Sequence, residues 1–172
     1  MYQDILTIAV VSVIAFLALY WMWFQGEVDG SRLIAKDSMR KQKFNIILVL
    51  VAAFIVKAIL AVKNEGYSVD ITCFRIWSET AFTDFWGGNV TDYPPGYILI
   101  LWVVGAIRHL FNIDNYSTTG LFLIKLFPML FDLAAAYLIY VMAKKRFSEG
   151  MSLMLAALYA LNPAIVADSS VW

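Results

Sequence analysis

Side chains able to do chemistry gather in residues 66–97, GYSVDITCFRIWSETAFTDFWGGNVTDYPPGY, where the carboxylates Asp70, Glu79, Asp84 and Asp92 stand among Arg75, Trp77, Tyr93 and Tyr97. A carboxylate at a lipid–water boundary loses part of its hydration, which raises its pKa and suits it to take a proton from an attacking alcohol. A guanidinium such as Arg75 can hold a phosphate through two parallel N–H bonds. Proton abstraction beside an anion contact is therefore the chemistry these residue types allow. Each also has an ordinary structural use. Asp70 suits a helix N-cap, and Arg75 with Glu79 suits an i,i+4 pair worth roughly 0.2–0.5 kcal/mol.

The element that must carry these groups is a short helix over residues 70–86. Phe74, Trp77, Ala81 and Phe85 recur at three- and four-residue steps, while Thr72, Arg75, Glu79 and Thr83 fall on other faces, the pattern of a helix lying in a membrane interface. The chain then returns through Gly87-Gly88 and Asp92-Tyr93-Pro94-Pro95-Gly96 into an apolar segment at residues 97–111. Asp168 arrives from the end of another apolar segment, so several carboxylates are expected at one membrane surface.

What surrounds this stretch is membrane scaffolding. Hydrophobic residues make up 62% of the 172 and charged residues 15%, against roughly a quarter charged in soluble domains, and mean hydropathy is +0.73. Apolar runs at residues 5–24, 44–62, 121–143 and 151–166 each offer a crossing of a bilayer core. The densest basic cluster, Arg32, Lys36, Arg40, Lys41 and Lys43, reads as a cytoplasmic loop, and Lys144, Lys145 and Arg146 form a second. Both clusters lie on the cytoplasmic side only if residues 97–111 do not cross. That segment is short, follows Pro94 and Pro95 and ends in Arg108 and His109, as an interfacial or re-entrant helix does. Four crossings follow, with residues 63–119 outside the cytoplasm as one external loop and both termini outside.

Within the spans, Lys57 is expected to snorkel to the surface or to reach a carboxylate in the bundle. Asp132, in the same helix as Pro128, needs a partner such as Lys125 or Lys57. Asn162-Pro163 breaks the last span and is expected to leave Asp168 on an irregular segment. A balanced count of 13 basic and 13 acidic residues argues against a nucleic-acid partner. Cys73 is the sole cysteine, which excludes an internal disulfide and a thiolate cluster; His109, the sole histidine, reads as an interfacial residue rather than a general base, and no metal ligands are assigned. Asn89-Val90-Thr91 and Asn115-Tyr116-Ser117 match the glycosylation sequon.

Taken together, Asp70, Arg75, Trp77 and Glu79 form D-x-x-x-x-R-x-W-x-E, Asp92-Tyr93-Pro94-Pro95 follows, and Asn162-Pro163-Ala164 precedes Asp168. This ordered set resembles the GT-C membrane glycosyltransferases that use polyprenyl-phosphate sugars. The likeness is greatest to dolichyl-phosphate-glucose-dependent glucosyltransferases of N-glycan assembly and to related mannosyltransferases. It extends from about Phe44 to Trp172, with residues 1–43 as an extra N-terminal transmembrane helix and basic loop. The resemblance implies an all-α integral membrane fold: about four transmembrane helices plus two juxtamembrane helices in the external loop, forming the N-terminal part of a GT-C module in residues 44–172.

It further implies an inverting hexosyl transfer from a polyprenyl-phosphate sugar to a lipid- or protein-linked glycan acceptor on the extracytoplasmic or endoplasmic-reticulum lumenal side. Asp70 falls on the essential Asp of that family and is the expected general base. Arg75 and Lys57 are the candidates to hold donor phosphate. Arg75, Trp77, Glu79, Asp92, Tyr93 and Asp168 are the candidates to contact substrate, and Asp132, Pro94, Pro95, Asn162 and Pro163 to shape the scaffold. Lys125 stands near where related proteins often have Arg ahead of the intramembrane Asp. Family members continue through many further spans, so this chain is expected to act as part of a longer one. A non-enzymatic membrane subunit or lipid-binding assembly factor is the alternative that the same composition would serve.

Overall fold

The computed structural model describes residues 35–85 and 93–171, and among them every regular element is helical. In chain order these are α1 (Ala35–Lys63), α2 (Ser68–Thr83), α3 (Pro95–Phe111), α4 (Thr118–Ala143), α5 (Glu149–Ala160) and α6 (Pro163–Ser170). The expected span at residues 5–24, Arg32 and the return through Gly87-Gly88 to Asp92 lie outside the described residues.

Two of these helices are long and apolar enough to cross a membrane, Asn45–Lys63 within α1 and Thr118–Ala143, with 19 and 26 residues. At about 1.5 Å per residue they reach or nearly reach the roughly 30 Å of a hydrocarbon core. Helix α1 begins at Ala35, well before its apolar part. Lys36, Arg40, Lys41 and Lys43, expected in a loop, are therefore helical. The run AKDSMRKQK has neither Gly nor Pro, and residues joined to a formed helix extend it without a new nucleation cost. Helix α4 continues through Pro128.

A third candidate span is the pair α5 and α6, which bend by 47° at their junction. The junction is chemical in origin. Asn162 Oδ1 accepts the Ala164 N–H at 2.9 Å, and Pro163 in the first helical position suits a helix start. Asn162→Ala is expected to cost about 1 kcal/mol, seen as a lower unfolding midpoint in detergent.

Helix α3 has 17 residues, with Pro94 as its N-cap and Pro95 at its first position. It ends at Asn112, whose φ of 50° is left-handed, and Ile113 N–H bonds back to Arg108 O at 2.9 Å. At about 25 Å this helix is shorter than the hydrocarbon core.

The chain divides into two units. One comprises residues up to Lys57 together with Met129–Ser169. Its interior holds Ala53, Ala136, Ala160 and Leu161 in one cluster and Ile46, Tyr140 and Ala156 in another. Alanine at these positions lets helix backbones approach closely, which is how apolar helices gain packing contact in a membrane. At the α4–α5 turn Tyr140 Oη donates to Glu149 Oε1 at 2.6 Å and Lys144 pairs with the same carboxylate.

The other unit comprises Ala58–Pro128 and the residues from Ser170 onward. Here α2 packs on α3 around Ile71, Phe74, Ala81, Ile98, Leu101 and Val104. Phe74 meets Tyr97 at 5.3 Å and Phe82 stacks on His109 at 4.4 Å between ring centroids. The contacts advance along both helices together, so α2 and α3 run in parallel. Gly105 permits the approach: a Cβ there would fall against the Ser78 carbonyl oxygen and 2.8 Å from Phe82 Cβ. Gly105→Ala is expected to destabilise this pair by about 1–3 kcal/mol, measured as a lower unfolding midpoint with retained helical circular dichroism.

Candidate functional site

Helix α2 starts at Ser68 with Tyr67 as its N-cap and no side-chain cap bond, so Asp70 is the third helical residue rather than the cap. The apolar stripe that anchors the helix begins with buried Ile71, and a helix start two residues earlier than the sequence pattern suggests draws Asp70 inside, while its end at Thr83 falls three residues short of the expected 86. Its negative charge in the first turn complements the helix dipole. Asp70, Phe74 and Trp77 are spaced four and three apart and share one face. Phe74 and Trp77 belong to a four-ring cluster with Tyr93 and Tyr97, the rings separated by 5.2–5.8 Å. Tyr93 is exposed and lies just ahead of Pro94-Pro95. Burial, and secondarily Tyr93, push the Tyr97 phenol up to about 12, so at neutral pH it is a hydrogen-bond donor rather than a base. A carboxylate is thus in line with an aromatic platform, which sets a hydrogen-bond acceptor beside apolar ring faces.

The expected pairing of Arg75 with Glu79 is replaced by another. Glu79 accepts from His109 Nε2 at 2.9 Å and pairs with Arg108 Nη1 at 3.5 Å. Arg108 is 6% exposed and also donates to Ser78 Oγ at 3.2 Å. A buried guanidinium needs a carboxylate more than a half-exposed one does, and Glu79 meets that need across the α2–α3 contact. Glu79 itself is 41% exposed, so solvent weakens the pair. Arg75 lies with its guanidinium carbon 5.1 Å from the Tyr116 ring centroid, its carbonyl accepts from Asn115 Nδ2, and its Nε is buried without a hydrogen-bond partner. The hydroxyls of Thr72, Ser78 and Thr83 bond back to carbonyls three or four residues earlier in α2.

In the first unit Lys57 is fully buried. Its ammonium donates to Asp132 Oδ2 at 2.8 Å, to Ser169 Oγ at 2.7 Å and to Ile165 O at 3.2 Å. The three donors of an ammonium are thereby engaged, so Lys57 does not snorkel, and none of its N–H bonds is left for a phosphate. Asp132 takes Lys57 as its partner, one of the two expected. Lys125, the other, donates in the second unit to the carbonyls of Asn64, Ser170 and Val171 at 2.7, 3.1 and 3.4 Å. Asp168 is exposed on α6, and Asn162 and Pro163 form the start of that helix.

Arg108, Ser169 and the Ile165 carbonyl are contacts that the sequence reading did not assign. A cation at the end of an apolar helix was the one available signal for Arg108, whereas nothing in the sequence marks a particular serine or carbonyl. Among the described residues no group of three or more His, Cys, Asp and Glu side chains could hold a metal ion. Asp92 lies outside the described residues. Comparison with protein-family models, curated proteins and solved structures gives no match to this chain.

Proposed function

We propose that this chain forms part of a membrane glycosyltransferase that moves a hexose from a polyprenyl-phosphate sugar to a glycan acceptor on the extracytoplasmic or lumenal side. The observation that carries the reading is the alignment of Asp70 with Phe74 and Trp77 on one face of α2, beside the rings of Tyr93 and Tyr97 at the Pro94-Pro95 start of α3. The D-x-x-x-x-R-x-W-x-E part of the motif set that resembles the GT-C enzymes lies on α2, and its Pro94-Pro95 opens α3. Four crossings and a GT-C module belong to this proposal, as does the assignment of the two basic clusters to the cytoplasmic side.

In the proposed reaction Asp70 takes the proton of an acceptor hydroxyl while its oxygen attacks the anomeric carbon. The bond from that carbon to the phosphate oxygen breaks, its electron pair leaves with the lipid phosphate, and the anomeric configuration inverts. Arg75 is the phosphate contact, since Lys57 has its donors engaged elsewhere. Trp77 and Tyr93 support the sugar faces. Asp92 shapes the acceptor side, and Glu79 holds α2 on α3.

The test uses membranes containing the native gene product, supplied with radiolabelled glucosyl or mannosyl polyprenyl phosphate and a lipid-linked oligosaccharide. Transfer with inversion at the anomeric carbon is the expected result. No transfer from either donor, with the protein present and folded, counts against the proposal.

A further inference from the structure

Helix α4 keeps an exposed apolar surface to its last turn, where Met142 is 67% exposed. Lys144, Lys145 and Arg146 follow at once, and then Phe147, itself 55% exposed. Glu149 pairs with Lys144 at 3.1 Å. The side chains of Lys145 and Arg146 are exposed, and among the described residues they enter no hydrogen bond, ion pair or ring contact. The turn that carries these cations has a fixed backbone. The N–H groups of Lys144, Lys145, Arg146 and Phe147 bond to the carbonyls of Tyr140, Met142 and Ala143 at 2.8–3.2 Å, and Ser148 Oγ caps α5 by accepting the Met151 N–H. Ile46, three residues after Lys43, joins Tyr140, four residues before Lys144, in one buried cluster. The basic start of α1 and this turn therefore stand at the same end of the first unit. Residues 35–46 bring four cations and one carboxylate to that end, and residues 144–149 bring three and one.

We propose that this end of the first unit binds an anionic phospholipid, with Lys145 and Arg146 on the headgroup phosphate and Met142 and Phe147 against the acyl chains. The proposal rests on α4 as a membrane span and is independent of the proposed sugar transfer. Cations set beside exposed apolar side chains at the end of a bilayer-length helix match the boundary where headgroups meet acyl chains, and the stems of Lys and Arg can lie along the apolar part while their charges reach the phosphate layer. A guanidinium adds two parallel N–H bonds to a phosphate. A soluble anion would use the cations and leave Met142 and Phe147 without a partner. Orientation of a span by its basic residues requires neither an apolar flank nor a turn of fixed geometry.

The test measures binding of fluorescent phosphatidylglycerol and phosphatidylcholine to the native protein purified in a neutral detergent, without sugar donor. The wild type is expected to prefer phosphatidylglycerol by at least about tenfold, and the preference should fall as salt is raised. Lys145→Gln with Arg146→Gln should remove about tenfold of that preference. Lys145→Arg with Arg146→Lys keeps both charges and should keep it. Lys63→Gln removes an exposed cation from the other end of α1 and should leave it unchanged. The unfolding midpoint without lipid should match the wild type in all three variants, because these side chains are exposed.

A second arm separates a lipid from a free phosphate. Glycerol phosphate in large excess is expected to leave phosphatidylglycerol bound, and Phe147→Ser, which keeps every cation, is expected to weaken lipid binding about threefold. Equal binding of the two lipids by the wild type overturns the proposal, as does a preference that survives Lys145→Gln with Arg146→Gln. Displacement by glycerol phosphate, with no effect of Phe147→Ser, makes this a site for soluble anions and overturns the lipid assignment.

Discussion

Asp70→Asn is expected to lower the rate of sugar transfer by about a hundred- to ten-thousand-fold, the usual contribution of a positioned general base. The substitution keeps the size of the side chain and its place as third residue of α2, and it removes the capacity to accept a proton. The loss should appear in kcat, with acceptor binding retained. The unfolding midpoint of the variant separates this loss from unfolding; the place of the carboxylate in the first turn contributes about 0.3–1 kcal/mol through the helix dipole. Asp70→Glu keeps the base but moves it by one methylene, and an activity between those of wild type and Asn is expected. Equal turnover of wild type and Asp70→Asn, in protein with an unchanged unfolding midpoint, would remove Asp70 from the mechanism.

Lys57→Met is expected to lower stability by about 3–5 kcal/mol, because it leaves the Asp132 carboxylate without its cation in the interior of a candidate span. It also deprives Ile165 O and Ser169 Oγ of a donor. Asp132→Asn in the same chain should recover much of the loss, since a neutral amide costs far less to bury than an unpaired carboxylate. The measurement is the unfolding midpoint in detergent for both single variants and the double. A coupling energy near zero between the two sites would show that the pair contributes nothing to stability, contrary to its 2.8 Å geometry. Lys57→Arg is expected to fall short of wild type, because a planar guanidinium cannot direct three N–H bonds to the positions that the ammonium serves.

Several elements were legible because their causes are local. The apolar parts of α1 and α4 are read from composition, as length and hydropathy alone decide whether a helix can cross a bilayer. The start of α3 at Pro94-Pro95 follows from the fixed φ of proline, and so does the break at Asn162-Pro163, but the segment beyond it, expected to be irregular, restarts as α6 and carries Asp168 in a helix. The face of α2 that bears Phe74, Trp77 and Ala81 follows from helical periodicity. Local pattern was weaker at boundaries. It put Asp70 on the cap, where the structure has Tyr67, and it ended the basic loop at Lys43, where α1 is already helical.

Partner choice was decided only by tertiary structure. The i,i+4 spacing of Arg75 and Glu79 made them natural partners, yet a pair of that kind is worth only roughly 0.2–0.5 kcal/mol. The need of a buried Arg108, 29 positions along the chain from Glu79, outweighs it. Lys57 had snorkelling, a phosphate or a carboxylate open to it. Burial of its ammonium beside Asp132, 75 positions away, selected the carboxylate, and the two acceptors on α6 completed the set. From residue types and their spacing alone came the apolar helices long enough to cross a membrane and the apolar face of α2, while Asp70 as the expected base came from the resemblance. Folding decided which charges are already engaged, because desolvation penalties depend on what is buried beside each group and not on its neighbours in the chain.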